Sequence, residues 1–185
     1  MQLIYNEMPS PIGTLVPVFS PAGLCALVFA EQWEESRNRL RKRFGDVGFV
    51  AGEGPATVVQ RLRAYLAGEV TAIDGIPADP GGTPFQRTVW AALREIPCGR
   101  TASYGELARR IGHPSASRAV GITNGRNPIA IVIPCHRVIG TSRQLTGYAG
   151  GLERKRWLLE HEGAFSAPLL AHRSRAARAD SRPGL

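Results

Sequence analysis

Cysteine is scarce in this chain and scattered. Cys25, Cys98 and Cys135 form an odd set of three with no Cys-x-x-Cys pair. That excludes a disulfide framework, offers no zinc-site spacing, and fits thiols kept reduced in a cytosol. Long apolar runs are missing too: no stretch approaches the roughly 18 residues that span a bilayer. The N-terminus lacks the basic, then apolar, then small-residue series of a signal peptide. A cytoplasmic protein with no membrane partner is therefore expected. Internal repeats are absent, and 43% hydrophobic with 21% charged residues excludes wholesale disorder. Acidic residues are the last shortage, 15 against 23 basic ones in 185 residues, for a net charge of +8.

The imbalance is uneven along the chain. Residues 1–83 hold 7 Lys and Arg against 9 Asp and Glu, residues 84–165 hold 12 against 5, and residues 166–185 hold 4 against 1. The basic half is suited to a polyanion. Nucleic acid ranks ahead of an acidic membrane surface, because no basic amphipathic anchor is present; a merely solvated arginine-rich surface is the alternative.

The first thirty residues read as a three-stranded antiparallel meander, Leu3–Met8, Thr14–Phe19 and Leu24–Phe29, with turns at Ser10–Gly13 and Pro21–Gly23. Helices are predicted over Glu31–Phe44 and around Val58, Leu62, Tyr65 and Leu66, ending at Gly68. This half shows no chemical constellation, and Cys25 sits in an apolar strand pattern as a core residue. Gly68–Thr83 is rich in Gly and Pro and coincides with the change in charge, so it is the expected linker. Thr83-Pro84-Phe85-Gln86 then starts a helix, with Thr as N-cap and Pro at the first helical position. Phe85, Val89, Leu93 and Ile96 share its inner face.

Ser103-Tyr104-Gly105-Glu106 is a second capping box. Gly112-His113-Pro114 breaks that helix, and Ser115 is expected to cap another from Ala116 to about Asn124, giving helix-turn-helix dimensions. The second helix combines the small residues Ala116, Ser117, Ala119 and Gly121 with Arg118. Its close-approach surface suits either another helix or a sugar-phosphate backbone. Ile129–Ile133 is a β-branched run that predicts a buried strand ending at Pro134. That strand would deliver Cys135 beside His136, a thiol next to a base able to take its proton. Taken alone, the pair more often describes a small buried hydrophobe with its neighbour facing away. A loop over Val138–Gly147, a helix from Leu152 to Glu162 and a basic disordered tail over 166–185 complete the chain.

In order and spacing, Phe85-Gln86-x-x-Val89-Trp90, Ser103–Ala108, Arg118-Ala119-Val120-Gly121, Asn127-Pro128, Pro134-Cys135-His136-Arg137-Val138 and Gly147–Gly151 resemble the O6-alkylguanine-DNA alkyltransferases, particularly the bacterial constitutive type. These are also called methylated-DNA–protein-cysteine methyltransferases. The resemblance implies an α+β fold. A small antiparallel sheet with helices, ribonuclease H-like, would occupy residues 1–82, with a linker at about 68–82. A winged helix-turn-helix-like domain with the reactive cysteine would occupy residues 83–165, ahead of the tail.

The implied activity is DNA repair by direct reversal, without cofactor or metal. Cys135 takes an alkyl group from O6 of guanine irreversibly, once per molecule, with O4 of thymine as a further donor left open. By the same resemblance, His136 and Glu162 form a water-linked relay to the thiol and Asn127 braces the cysteine loop. Tyr104, Val138, Tyr148 and Ala149 bind the extruded guanine. Arg118 fills the gap in the stack, and Tyr104, Gly105, His113 and Thr141 touch the DNA backbone. The implied partner is duplex DNA containing O6-alkylguanine, met by a monomer, with cooperative loading left open. The family generally has glycine where this chain has Arg143, and a positive-φ turn there would cost arginine about 1 kcal/mol or more. A lesion sensor that transfers nothing and a helix-turn-helix regulator with a structural cysteine are the competing readings.

Overall fold

The expected meander forms as β1 (Gln2–Tyr5), β2 (Leu15–Ser20) and β3 (Gly23–Phe29), each antiparallel to the next. The computed structural model describes residues 1–142 and 144–165; the expectations for Arg143 and for the tail lie outside the described residues. A fourth strand, β4 (Gly48–Ala51), escapes the sequence reading. It pairs parallel with β1, so the sheet is mixed, in the order β3-β2-β1-β4, which corrects the purely antiparallel expectation. The cause is α1 (Trp33–Phe44), which carries the chain back across the sheet between β3 and β4, a crossover that delivers parallel strands.

Strands β2 and β3 are buried almost end to end. Val16, Val18, Cys25 and Val28 pack with Leu40 and Val47 on the α1 side. Leu15, Phe19, Leu24, Leu27 and Phe29 join the larger cluster that includes Val89, Trp90, Leu93 and Leu158. A sheet covered on both faces needs apolar residues at nearly every position, which explains the unbroken runs. Each such Leu or Phe contributes about 1.5–3 kcal/mol by leaving water. Helix α2 (Ala56–Leu66) buries Val58, Val59, Leu62 and Tyr65. The Gly/Pro-rich stretch after it is well fastened: Ile73 and Ile76 are buried, and Leu24 of β3 donates to Pro77 O and accepts from Asp79 N.

Helix α3 (Pro84–Arg94) begins with the predicted Thr83–Gln86 capping box, and α4 (Tyr104–Arg110) with Ser103–Glu106. Helix α5 (Ser117–Gly125) starts one residue later than expected. Its N-cap is Ala116, with no side-chain bond, so Ser115 does not cap it, and residues 111–116 make a longer turn than the three-residue break predicted. Trp90 Nε1 donates to Thr123 O at 3.1 Å and fixes α5 against α3.

The largest correction falls on Ile129–Ile133, which is buried but is not a strand. Only Ile129 bridges to Leu27; Ile131 then takes φ 70° and the chain reverses, with Ile133 N bonded back to Ile129 O. β-Branched residues fill apolar interior here without extending. Ile131, a β-branched residue in the left-handed region, carries about 1–3 kcal/mol of strain that its complete burial offsets. Beyond it, β5 (Ala102–Ser103) and β6 (Val138–Ile139) pair in parallel, and α6 (Leu152–His161) closes the described fold.

Candidate active site

Cys135, His136 and Arg137 form one 3-10 turn between Pro134 and β6. The expected geometry, a cysteine at the end of a rigid strand, is replaced by a turn in which successive side chains diverge by about 120° rather than facing apart. Cys135 opens toward a cleft while His136 and Arg137 turn inward. The turn is held from both sides. Asn127 Nδ2 donates to Ile133 O at 2.7 Å and its Oδ1 accepts from Ile129 N at 2.9 Å, so one amide spans the reversal. Asn124 Nδ2 reaches Cys135 O at 3.3 Å.

Inward, the turn meets Glu162, the residue that ends α6. Its carboxylate accepts from His136 Nε2 at 2.9 Å, Arg137 Nε at 2.8 Å, Arg137 Nη2 at 2.9 Å and Tyr65 OH at 2.8 Å. Arg137 Nη1 donates to Ile96 O at 2.6 Å, so every nitrogen of a nearly buried guanidinium has a partner. Burial alone would raise the Glu162 pKa, but the hydrogen bonds and charges of His136 and Arg137 outweigh it and hold the carboxyl well below its ordinary range. Burial lowers the pKa of His136, despite Glu162, and favours the neutral ring. With Nε2–H directed at a carboxylate, the Nδ1 lone pair is left free. That atom is buried without a hydrogen-bond partner among the described residues. Desolvation pushes the Cys135 thiol up, with the Asn127 hydrogen bond and the Lys155 charge opposing it. A thiol so placed rests protonated and needs a base to react.

The cleft over Cys135 has a volume of about 200 Å³. Asn127, Asn124, Tyr148 and Ala149 line it together with residues of β3 and α1. Burial keeps the Tyr148 hydroxyl neutral. Among the described residues, no group of three or more His, Cys, Asp or Glu is gathered for a metal ion.

Residues 84–164 match the family model for the 6-O-methylguanine DNA methyltransferase DNA-binding domain. The chain is 44% identical over 172 residues to the methylated-DNA–protein-cysteine methyltransferase of Shigella flexneri, covering 88% of this chain and 97% of that protein. It belongs to the methylated-DNA–protein-cysteine methyltransferases. The same-named protein of Mycobacterium tuberculosis is 50% identical over 159 residues, 85% of this chain and 91% of its own. The crystal structure of the O6-methylguanine methyltransferase from that organism superposes with a TM-score of 0.75 at 46% identity, covering 90% of this chain and 97% of that one. A second crystal structure of the mycobacterial protein, in complex with DNA, matches with the same TM-score.

The remaining residues assigned by resemblance to these methyltransferases lie apart from the cleft floor. Tyr104 opens α4 with its ring against Gly121 of α5, and its hydroxyl accepts from Thr146 Oγ1 at 3.5 Å. Gly105 follows it, half-buried, while Arg118, His113 and Thr141 are exposed. Val138 is buried, and its carbonyl accepts from Lys155 Nζ at 2.6 Å. Sequence reasoning missed Lys155, Arg137, Tyr65 and Asn124. Lys155 is wholly buried, donates also to Thr146 O at 2.6 Å, and has a pKa lowered by burial to about 8. A lysine on the inner face of α6 was visible in the sequence as a break in amphipathic patterning. Tyr65 had no signal, because its partner lies 97 residues away.

Proposed function

We propose that this chain repairs DNA by drawing an O6-alkylguanine out of the duplex and moving its alkyl group to Cys135. The thiol proton passes through a water to His136 Nδ1, and Glu162 stabilises the imidazolium that results. The sulfur attacks the alkyl carbon, the S–C bond forms as the C–O6 bond breaks, and the electron pair departs with the purine. The Tyr104 hydroxyl donates a hydrogen bond to the departing purine anion, which takes a proton from solvent and leaves as neutral guanine. The product is a thioether that water does not cleave, so each molecule reacts once. The His136–Glu162 hydrogen bond in the turn that carries Cys135, with a buried acceptor nitrogen left free on the histidine, is the observation that carries this reading.

Asn127 braces the turn that holds the thiol. Cys135, Val138 and Ala149 read the guanine edge through main-chain groups, and Tyr148 walls the pocket. The carbonyl of Val138 accepts from Lys155 Nζ and that of Ala149 from Gln32 Nε2, and a carbonyl oxygen has two lone pairs. Helix α5 enters the minor groove, with Arg118 standing in for the flipped base, and Gly105, His113 and Thr141 meet phosphates. The α4–α5 pair followed by β6 supports a winged helix-turn-helix over residues 83–165. The order β3-β2-β1-β4 with its parallel edge supports a ribonuclease H-like unit over residues 1–82. The working species is a cytoplasmic monomer.

Titration with duplex bearing O6-methylguanine tests this reading. Methyl transferred should level off at one per chain however much substrate is added, whereas continued turnover, or binding without transfer, contradicts it.

A further inference from the structure

The loop Tyr148–Gly151 that overhangs the cleft is fastened from the N-terminal part of the chain. Gln32 Nε2 donates to Ala149 O at 3.0 Å, and Arg154 Nη1 donates to the next carbonyl, Gly150 O, at 3.2 Å. Both donors are themselves held. Gln32 Oε1 accepts from Phe29 N at 3.3 Å in the capping box that starts the 3-10 turn Ala30–Gln32. Arg154 Nε donates to Ile12 O at 2.7 Å, the guanidinium pairs with Glu31, and its carbon stands 3.9 Å over the Phe29 ring. Gly150 is pressed into the same junction: a Cβ there would stand 2.7 Å from Tyr148 Cε1 and closer still to Phe29. Gln32, Tyr148, Ala149 and Gly150 all line the cleft that ends on Cys135. Forming a thiolate requires none of these contacts; they fix the position of one wall.

We propose that Gln32, together with Arg154, clamps this wall and so sets the size of alkyl group that reaches Cys135. The inference rests on the transfer reading above and makes Gln32 a specificity-determining residue within it. A methyl group fits beside the thiol with the wall in place. A longer alkyl chain needs the loop to swing outward, which stretches the bonds to Ala149 O and Gly150 O. Removing a donor lowers the cost of that movement for the large group and leaves the small one without benefit.

Gln32→Glu is the discriminating variant, because a carboxylate still accepts from Phe29 N and keeps the capping box but cannot donate to Ala149 O. Gln32→Met removes the donor without adding charge. Single-turnover transfer is measured with otherwise identical duplexes carrying O6-methylguanine or O6-butylguanine. In both variants the butyl-to-methyl rate ratio should rise about two- to tenfold, the loss of one exposed hydrogen bond. Amide hydrogen exchange over residues 148–150 should quicken alongside it. A parent that transfers methyl, with the ratio unchanged in both variants or raised in Gln32→Glu alone, overturns the clamp. A parent that transfers no methyl overturns the transfer reading instead.

Discussion

Replacing Glu162 by glutamine tests the buried network more severely than any other single change. The carboxylate accepts four hydrogen bonds, two of them from Arg137, whose guanidinium is 2% exposed and has no other anion in reach among the described residues. Glutamine offers one acceptor oxygen and turns an NH2 group toward donors. Arg137 then stays buried and charged without a counter-ion. Breaking such a pair from one side costs about 3–5 kcal/mol, and for a chain of this size that lowers the thermal midpoint by roughly 6–20 °C. The pH dependence follows from the depressed Glu162 pKa. A carboxyl whose folded value lies below its unfolded value, 4.5, stabilises the fold fully above that value. The contribution is lost as the pH falls through the folded value. The parent's margin over Glu162→Gln, measured by urea unfolding, should therefore be full at pH 7 and shrink below about pH 4.5. A difference under about 1 kcal/mol at pH 7 would refute the reasoning, since it would mean Arg137 finds solvent or another partner.

Tyr65→Phe removes one donor from the same carboxylate and should cost about 1.5–3 kcal/mol in urea unfolding, with the ring packing kept. Lys155→Met leaves the carbonyls of Val138 and Thr146 without their buried donor, for about 1–3 kcal/mol. It also removes a charge that lowers the Cys135 pKa, so thiolate formation, followed by ultraviolet absorbance, should shift to higher pH. Arg118→Ala should slow transfer from duplex DNA far more than transfer from the free alkylated base, because only the duplex has a gap to fill; equal effects would remove the finger role. Burial depresses the His136 pKa, and the proposed relay uses the neutral ring as its base. Single-turnover transfer should then hold steady as the pH falls to about 6.5 and decline only below it.

The capping boxes at Thr83 and Ser103 and the meander of β1–β3 were legible in the sequence because they are local. Their signals lie within a few residues of the structure they specify. Strand β4 was not, since Gly48–Ala51 is only four residues long, lies between glycines, and is ordered by pairing with β1. The run Ile129–Ile133 misled for a physical reason: β-branched residues mark burial as readily as extension, and Asn127, two residues before the run, holds it in a reversal. The site followed the same division. Cys135, His136 and Asn127 carried a motif signal and Glu162 only a matching position, whereas Tyr65 bonds Glu162, and Gln32 bonds Ala149, from the half that seemed chemically empty. Their contacts exist only after the N-terminal sheet and α2 have packed against α6 and its flanking loop.

The most direct measurement of the central claim is the mass of the Cys135 peptide after incubation of native protein with a duplex containing O6-methylguanine. The account predicts that this peptide gains one methyl group, that the peptides of Cys25 and Cys98 gain none, and that Cys135→Ala binds the lesion unmodified. An unmodified Cys135 peptide from protein that binds the lesion would contradict it.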